Sequence, residues 1–264
     1  MSKIENDDTS KIQKSQAIEQ GTLSKQGFLL IDKPAGITSH DVVDRVRRLT
    51  GERRVGHAGT LDPFATGLLI VGVGRFATRE MEKLVGLDKE YEAVFVLGAS
   101  STTDDTEGTI TEASVVWSPD AINQFIGEIE QVPPTYSAIK VGGKKMYEAA
   151  REGKPIEGKA RRVKVYSFEL RNHPQPLLKK EGGRIAVTIR CSSGTYIRSL
   201  ARDLGRALGG GGYVEELRRT QIGPFSVTQA STLESLVGRV ETALIPVSQL
   251  LRTLAQVHEH RSHC

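Results

Sequence analysis

The sequence predicts a mixed α+β fold with several antiparallel strands. Polar and apolar residues alternate along residues 91–97, 161–170 and 184–191, as in strands that bury one face. Apolar residues recur at helical spacing elsewhere, most clearly at residues 42–49 and 197–208. Alternation of this kind favours an antiparallel sheet over a parallel one, and the sequence contains no internal repeat.

The first third of the chain is expected to begin with a polar, disordered extension at residues 1–26 and a short buried strand at residues 28–32. A turn at residues 33–36 ends this strand, and Ser39 is predicted to cap a helix that stops at Gly51. A second buried strand is predicted at residues 68–73, followed by a helix near residues 78–84.

Further helices are predicted in the rest of the chain. Ser118 and Pro119 are expected to start one that reaches Ile129, because serine is a common cap and proline a common first residue. A short helix is expected near residues 144–152, and a long one at residues 195–208 that the glycines at 209–212 end. The sequence STLE at residues 231–234 predicts a capping box for a late helix.

Length and composition indicate the class of protein. A chain of 264 residues with 38% apolar residues can form one large domain or two closely packed halves. No apolar run approaches the ~20 residues of a membrane helix, and the polar start has no secretion signal, so we expect a cytoplasmic protein. Cys191 and Cys264 are too few for a disulfide framework. We expect His258, His260 and His263 to form an ordinary tail rather than a metal site.

The net charge of +4 is unevenly distributed. Residues 140–164 contain nine lysines or arginines against three glutamates, a pattern typical of phosphate contacts. A solvated, lysine-rich surface hairpin explains the same run equally well. With its proline and glycine turns, the basic segment at about residues 131–164 is predicted to be a mobile arm.

One stretch, GHAGTLDPFATG at residues 56–67, presents a single carboxylate between glycine turns and an apolar strand. Pro63 pushes the backbone of Asp62 toward the extended region, and the glycines on either side permit sharp bends. Taken alone, the pattern favours a structural role in which Asp62 caps a helical turn that begins at Pro63. Two other segments, KPAGITS at residues 33–39 and CSSGTYIR at residues 191–198, change this interpretation.

Together the three segments resemble the bacterial tRNA pseudouridine-55 synthases, and the resemblance covers residues 27–227. It implies a pseudouridine synthase fold, in which helices flank a mixed, mainly antiparallel curved sheet with a central catalytic cleft. It also implies that uridine is isomerised to pseudouridine at position 55 in the T arm of tRNA, by a monomeric enzyme. The catalytic domain would span residues 27–230, including an RNA-gripping arm at about 131–164. A helical tail at residues 231–264 would replace the full C-terminal RNA-binding domain of many members.

The family motifs imply roles for individual residues. Asp62 is implied to be the nucleophile, Arg198 the ion-pair partner that orients it, and Tyr91 the residue that packs on the flipped base. His57 would occupy the space that the extruded base leaves in the RNA stack. Contacts to the RNA or its target base are implied for five further positions, Tyr196, Leu217, Lys33, Lys144 and Lys145. Without the resemblance, Tyr91 would be a strand aromatic, and Arg198 with Arg202 a solvated helix face.

We expect no cofactor and no metal. The isomerisation breaks the bond between N1 of the base and C1′ of the ribose and rejoins C1′ to C5 without redox change, so one carboxylate can serve as nucleophile or base. The sequence GVGRFA at residues 72–77 imitates part of a dinucleotide fingerprint, but the alternation of the next strand argues against a parallel nucleotide-binding fold. The run of glycines at residues 209–212 departs from the glycine-alanine-histidine type of sequence expected in the family.

Two alternatives and one mechanistic question stay open at this level. The chain could be a non-catalytic RNA-binding or tRNA-folding protein, although the presence of Asp62, Tyr91 and Arg198 together disfavours this. It could also be a synthase for a different RNA site. The sequence does not distinguish attack of Asp62 on the sugar from attack on the base or from proton abstraction that forms a glycal.

Overall fold

The computed structural model describes residues 26–137, 139–156, 158–171 and 183–261, with side chains up to residue 256. The predicted extension at residues 1–26 therefore lies outside the described residues, apart from Gln26, and so do the side chains of the histidine-containing tail. Within the described ranges, no helix is long and apolar enough to cross a membrane.

The described residues contain strands, α-helices and two 3₁₀ helices in mixed order. The strands are β1 (Gly27–Lys33), β2 (Val55–His57), β3 (Thr66–Val73), β4 (Lys89–Leu97), β5 (Ala99–Ser101), β6 (Ile110–Glu112), β7 (Gly127–Gln131), β8 (Lys140–Val141), β9 (Lys144–Lys145), β10 (Arg161–Arg171), β11 (Gly183–Cys191), β12 (Gly212–Ile222) and β13 (Phe225–Ser226). The α-helices are α1 (Ser39–Thr50), α2 (Gly74–Arg79), α3 (Met81–Val85), α4 (Met146–Arg151), α5 (Ile197–Ala207), α6 (Val240–Ala243) and α7 (Val247–Arg261). The 3₁₀ helices are Pro119–Phe125 and Val227–Gln229.

The chain divides into two compact units. The first unit contains the described residues up to Asp62, then Leu68–Val85, and the described residues from Pro224 onward. The second unit contains Pro63–Gly67 and Gly86–Gly223. Strand β3 therefore starts in the second unit and continues in the first.

The core of the first unit lies between its strands and helix α1. Strands β1 and β3 are neighbours in a sheet, and β2 pairs with β3 in antiparallel orientation. Val42, Val43 and Val46 of α1 recur at helical spacing and are fully buried in a cluster that also contains Leu233 and Leu236. The C-terminal segment thus contributes to the core of the first unit.

The second unit forms around a sheet with strand order β12, β4, β11, β10 and β7, in which all neighbouring pairs are antiparallel. Thr66 and Gly67 at the start of β3 pair in parallel with Arg218 and Arg219 of β12. The sheet is therefore mixed and mainly antiparallel, and the α+β class is confirmed. The three alternating segments of the sequence form β4, β10 and β11 as predicted.

Three predicted helices differ from the structure in their cap, type or presence. Thr38 rather than Ser39 caps α1, because the hydroxyl of Thr38 accepts a hydrogen bond from the N–H of Asp41. The helix predicted from Ser118 is a short 3₁₀ helix, and Ile129 lies in β7, where pairing with β10 overrides the local helical pattern. The STLE sequence forms turns, and no described helix begins between it and Val240.

Candidate active site

Asp62 lies on a loop that follows β2 and that the first unit holds by hydrogen bonds. The Ala58 N–H donates to the Ile70 carbonyl over 2.9 Å. The Ser39 hydroxyl accepts from the N–H of Leu61 at 2.9 Å and donates to its carbonyl at 3.0 Å. Ser39 is buried. Its hydroxyl therefore binds both backbone groups of Leu61, the residue directly before Asp62, away from solvent.

The interpretation of Asp62 as a helix cap is wrong. No helix begins at Pro63, and the next regular element is β3. Gly67 in this strand has a φ of 101°, and a Cβ there would lie 2.3 Å from the Arg219 carbonyl oxygen, so only glycine fits. Asp62 as a whole residue is half-buried.

Lys33 and His57, two further predicted residues, also lie in the first unit. His57 ends β2 opposite Val71 and is half-buried. Lys33 is 0% exposed, and its ammonium donates to the Pro34 carbonyl at 2.9 Å and to the Ile37 carbonyl at 2.8 Å. These bonds close the turn before α1, so the ammonium has a structural role that the sequence did not reveal. Direct contact of Lys33 with RNA would require this turn to open.

The second unit brings Tyr91 and Leu217 to one face of its sheet. Tyr91 of β4 is directly opposite Arg219 of β12, and Ala93 is opposite Leu217. Directly opposed residues of antiparallel strands point to the same face, so these four side chains form one group. All of them are buried, with Arg219 only 1% exposed. Sequence reasoning missed Arg219, because its spacing from Leu217 does not show that its side chain is buried.

Arg198 lies in the first turn of α5 and is 4% exposed. Its guanidinium donates to the Thr103 carbonyl at 2.9 Å and to the Tyr136 carbonyl at 3.0 Å. It also forms an ion pair with the carboxylate of Asp105 at 3.2 Å. The alternative in which Arg198 belongs to a solvated helix face is wrong, because these bonds hold the guanidinium inside the second unit.

Tyr196 is held by both ends of the predicted arm. Its N–H donates to the Gln131 side-chain oxygen at 2.8 Å, and its carbonyl accepts from the Gln131 amide nitrogen at 3.0 Å. The Arg161 guanidinium lies 5.2 Å from the centre of the Tyr196 ring. Since Gln131 and Arg161 are paired residues of β7 and β10, the strands at the base of the arm fix the start of α5.

The arm itself contains the small β8–β9 hairpin and helix α4. Lys144 and Lys145 are partly exposed, and each has an acidic partner within the arm. Lys144 forms an ion pair with Glu152, and Lys145 forms one with Glu148 at 3.7 Å. The basic charge of this segment is therefore partly neutralised locally.

Cys191 is excluded as a nucleophile by its surroundings. It lies in β11, and burial raises the pKa of its thiol to about 12. The thiol is therefore protonated at neutral pH, whereas nucleophilic attack needs the thiolate. Within the described ranges, no group of three or more His, Cys, Asp or Glu residues could hold a metal ion.

Two family models match consecutive parts of the sequence. The model of the N-terminal domain of TruB family pseudouridylate synthases matches residues 47–197. The model of the C-terminal domain of tRNA pseudouridylate synthase B matches residues 198–258. The chain belongs to the TruB family of pseudouridylate synthases. The boundary between the two models lies at α5, ahead of the boundary at residue 230 that we predicted.

Individual relatives are similar to this TruB family member over most of its length. The tRNA pseudouridine synthase B of Paenarthrobacter aurescens (strain TC1) is 48% identical over 224 residues, which cover 81% of this chain and 70% of that protein. The protein of the same name from Thermobifida fusca (strain YX) is 48% identical over 253 residues, which cover 89% and 86%.

Solved structures of similar proteins agree with the family assignment. A chain in the crystal structure of a Cbf5-Nop10-Gar1 complex is 30% identical, with a TM-score of 0.65, over 87% of this chain and 62% of that one. A chain in the structure of an H/ACA RNP bound to a substrate RNA containing 2′-deoxyuridine is 30% identical, with a TM-score of 0.59, over 84% and 55%. This family member thus spans less than two thirds of either solved chain. The predicted pseudouridine synthase fold is confirmed.

Proposed function

We propose that this TruB family member isomerises uridine to pseudouridine at position 55, in the T arm of tRNA, with Asp62 as the nucleophile. The observation that carries the proposal is that the half-buried Asp62 directly follows Leu61, whose N–H and carbonyl are both bound by the Ser39 hydroxyl. The names of the relatives, which state tRNA as the RNA they modify, support the choice of substrate.

The reaction requires a bond to break, a base to turn and a new bond to form. The glycosidic bond between N1 and C1′ breaks, the uracil rotates, C5 bonds to C1′, the proton on C5 is lost, and N1 takes up a proton. A carboxylate can act on the sugar, on the base or as a base toward a proton, and all three routes keep Asp62 at the centre. Tyr91 and Leu217, on one face of the sheet, are proposed to pack against the extruded uracil.

The roles of Arg198, Tyr196 and His57 remain proposals of the same kind. Arg198 is proposed to keep Asp62 ionised and oriented, because a nearby guanidinium favours the charged form of a carboxylate. Tyr196 is proposed to contact the base, and His57 the RNA stack. We further propose that the protein is a cytoplasmic monomer.

The proposal predicts that release of tritium from tRNA labelled at C5 of uridine depends on Asp62. Wild type should release about one equivalent per tRNA, and Asp62→Asn should lower the rate by about a hundredfold or more at matched RNA binding, because an amide is not nucleophilic. Asp44→Asn, which removes the partly exposed α1 carboxylate that pairs with Arg47, is the matched control. Equal release by wild type and Asp62→Asn would reject Asp62 as the nucleophile.

The choice of RNA is tested with the same assay. We expect release from full tRNA and from an isolated T-arm hairpin, but not from tRNA in which uridine 55 is replaced by cytidine. One of the similar solved chains belongs to an RNP with a bound substrate RNA, so a different RNA target is the second candidate. Release that survives the uridine 55 replacement would favour that candidate. Tight binding of tRNA without release would favour either that candidate or a non-catalytic RNA-binding protein.

A further inference from the structure

Asp104 is the one non-glycine residue with a left-handed backbone in the described part of the chain, with a φ of 61°. A residue with a side chain in this region stores about 1 kcal/mol or more, although aspartate tolerates it better than most. The Asp104 N–H donates to the Ser101 carbonyl at 3.2 Å, and its own carbonyl accepts from the Val214 N–H at 3.0 Å. A strained turn of this kind persists only where its surroundings hold it.

Arg202 binds the side chain of Asp104 and links it to two other groups. Its guanidinium donates to the Asp104 carboxylate at 2.9 Å, to the Val132 carbonyl at 2.8 Å and to the Asp203 carboxylate at 2.9 Å. The side chains of Arg202 and Asp104 are 13% and 12% exposed, so little water screens the ion pair. A planar guanidinium can meet three acceptors at once, which the single ammonium of a lysine does less well.

The neighbouring residue of the turn is the partner of Arg198. Asp105 follows Asp104 directly, and its carboxylate pairs with Arg198 at 3.2 Å. Arg198 and Arg202 are four residues apart, so they lie on one face of α5. Both arginines bind the turn at residues 103–105 and the segment at residues 132–136. Arg202 contacts Asp104 and Val132, and Arg198 contacts the Thr103 and Tyr136 carbonyls.

We propose that Arg202 and Asp104 form a positioning pair that holds the turn at residues 103–105 so that Asp105 meets Arg198. Neither residue touches the RNA in this scheme; both act through Asp105 and Arg198. The expected effect of the pair on the reaction rate rests on the proposed function, in which Arg198 orients Asp62. Loss of the pair should slow the chemical step and leave tRNA affinity nearly unchanged.

The charge of Arg202 is also needed by its partner. Burial raises the pKa of Asp104, and the adjacent Arg202 partly offsets this effect. Removal of the guanidinium would leave the carboxylate buried without its countercharge, which favours protonation or exposure of the side chain. Either change removes the restraint on the strained turn.

The test compares single-turnover rates and tRNA dissociation constants for wild type and Arg202→Gln. We expect the rate to fall at least tenfold and the dissociation constant to change less than twofold. Arg202→Lys should recover part of the rate, and Asp104→Asn should cost less than Asp104→Ala, because asparagine also tolerates the left-handed region. Arg202→Gln and Asp104→Ala combined should cost no more than either alone.

Two controls separate positioning from loss of stability. Arg206→Gln removes an exposed arginine one turn further along α5 that shares Asp203 as a partner, and it should leave the rate unchanged. Val42→Ala destabilises the core of the first unit without touching the turn, and it should retain the rate per folded molecule. A rate for Arg202→Gln within twofold of wild type, or losses that multiply in the double variant, would overturn the proposal.

Hydrogen exchange gives an answer that does not depend on activity. Arg202→Gln should speed exchange of the Asp104 and Val214 amides at least tenfold and leave the amides of β4 unchanged. Protection equal to wild type would reject the positioning pair even in an active enzyme. If wild-type protein releases no tritium, the proposed function fails, whereas the exchange result still decides whether the pair holds the turn.

Discussion

The hydroxyl of Ser39 shows how a single side chain can fix a candidate catalytic residue from a distance in sequence. It lies at the start of α1, yet both of its hydrogen bonds are made to Leu61, 22 residues later. The capping function that the sequence suggested for Ser39 belongs to Thr38 instead. This division leaves the Ser39 hydroxyl available to position the backbone beside Asp62.

We predict that Ser39→Ala lowers the single-turnover rate about tenfold and the free energy of unfolding by about 1–3 kcal/mol, because the buried Leu61 peptide groups lose their partner. Rapid-quench measurement of pseudouridine formation and urea unfolding would check both. Ser226→Ala, which removes the side-chain cap of a 3₁₀ helix, is the control. A full wild-type rate in Ser39→Ala would show that Asp62 does not depend on this restraint.

Single residues differed in how far their roles could be predicted. The irregular loop around Asp62 could be anticipated, because glycines and a proline shape it locally, whereas the choice of Asp62 as candidate nucleophile depended on two other segments of the sequence. The burial of Lys33 and the ion pair of Arg198 with Asp105 were not, because they depend on residues that are distant in sequence. Arg202 was expected to be solvated, since helical spacing alone does not show which face of α5 meets other segments.

At the scale of elements, the glycines at residues 209–212 allow α5 and β12 to approach closely. A Cβ at Gly212 would lie 2.2 Å from the Ala201 carbonyl oxygen of α5, and one at Gly211 would lie 2.7 Å from the backbone of Ala99. A side chain at either position would therefore prevent this close approach.

We predict that Gly212→Ala lowers the free energy of unfolding by about 3 kcal/mol or more, because the backbone of α5 must move away. Gly209→Ala is the matched variant, because Gly209 has a φ of 89° and a Cβ there would meet nothing within 4 Å. This variant should lose only about 1–2 kcal/mol of unfolding free energy, which is the cost of left-handed backbone strain. Urea unfolding of both variants provides the measurement. Equal losses would mean that backbone strain, not close approach, dominates in this run.

Elements with strong alternation were predicted with nearly correct bounds, as β4, β10 and β11 show. The segment after Ser118 was predicted wrongly, because its apolar residues fit a helix as well as a strand. Residues 127–131 form a strand because β7 pairs with β10, and this pairing joins residues about 35 positions apart. Local pattern carries no information on such a partner.

At the scale of the whole molecule, the uneven charge raises the question of whether the arm grips RNA. Lys144 and Lys145 each have a glutamate partner in the free protein, so binding of a phosphate must compete with an ion pair. Exposed ion pairs of this kind are worth about 0–1 kcal/mol and are screened by salt. A polyanion with its own condensed counterions can therefore displace them.

We predict that Lys144→Gln combined with Lys145→Gln weakens tRNA binding and lowers the slope of log Kd against log salt by between about one and two, because each phosphate contact contributes about 0.7–0.9. The rate of conversion of bound tRNA should change less than twofold. Arg171→Gln combined with Arg184→Gln removes the same charge from two exposed arginines that pair with Glu92 and Glu215, and it should leave the slope near the wild-type value. Titrations at several salt concentrations distinguish the two double variants. An unchanged slope in the lysine variant would mean that the arm does not contact phosphates, and an equal decrease in both would mean that net charge rather than the arm sets the affinity.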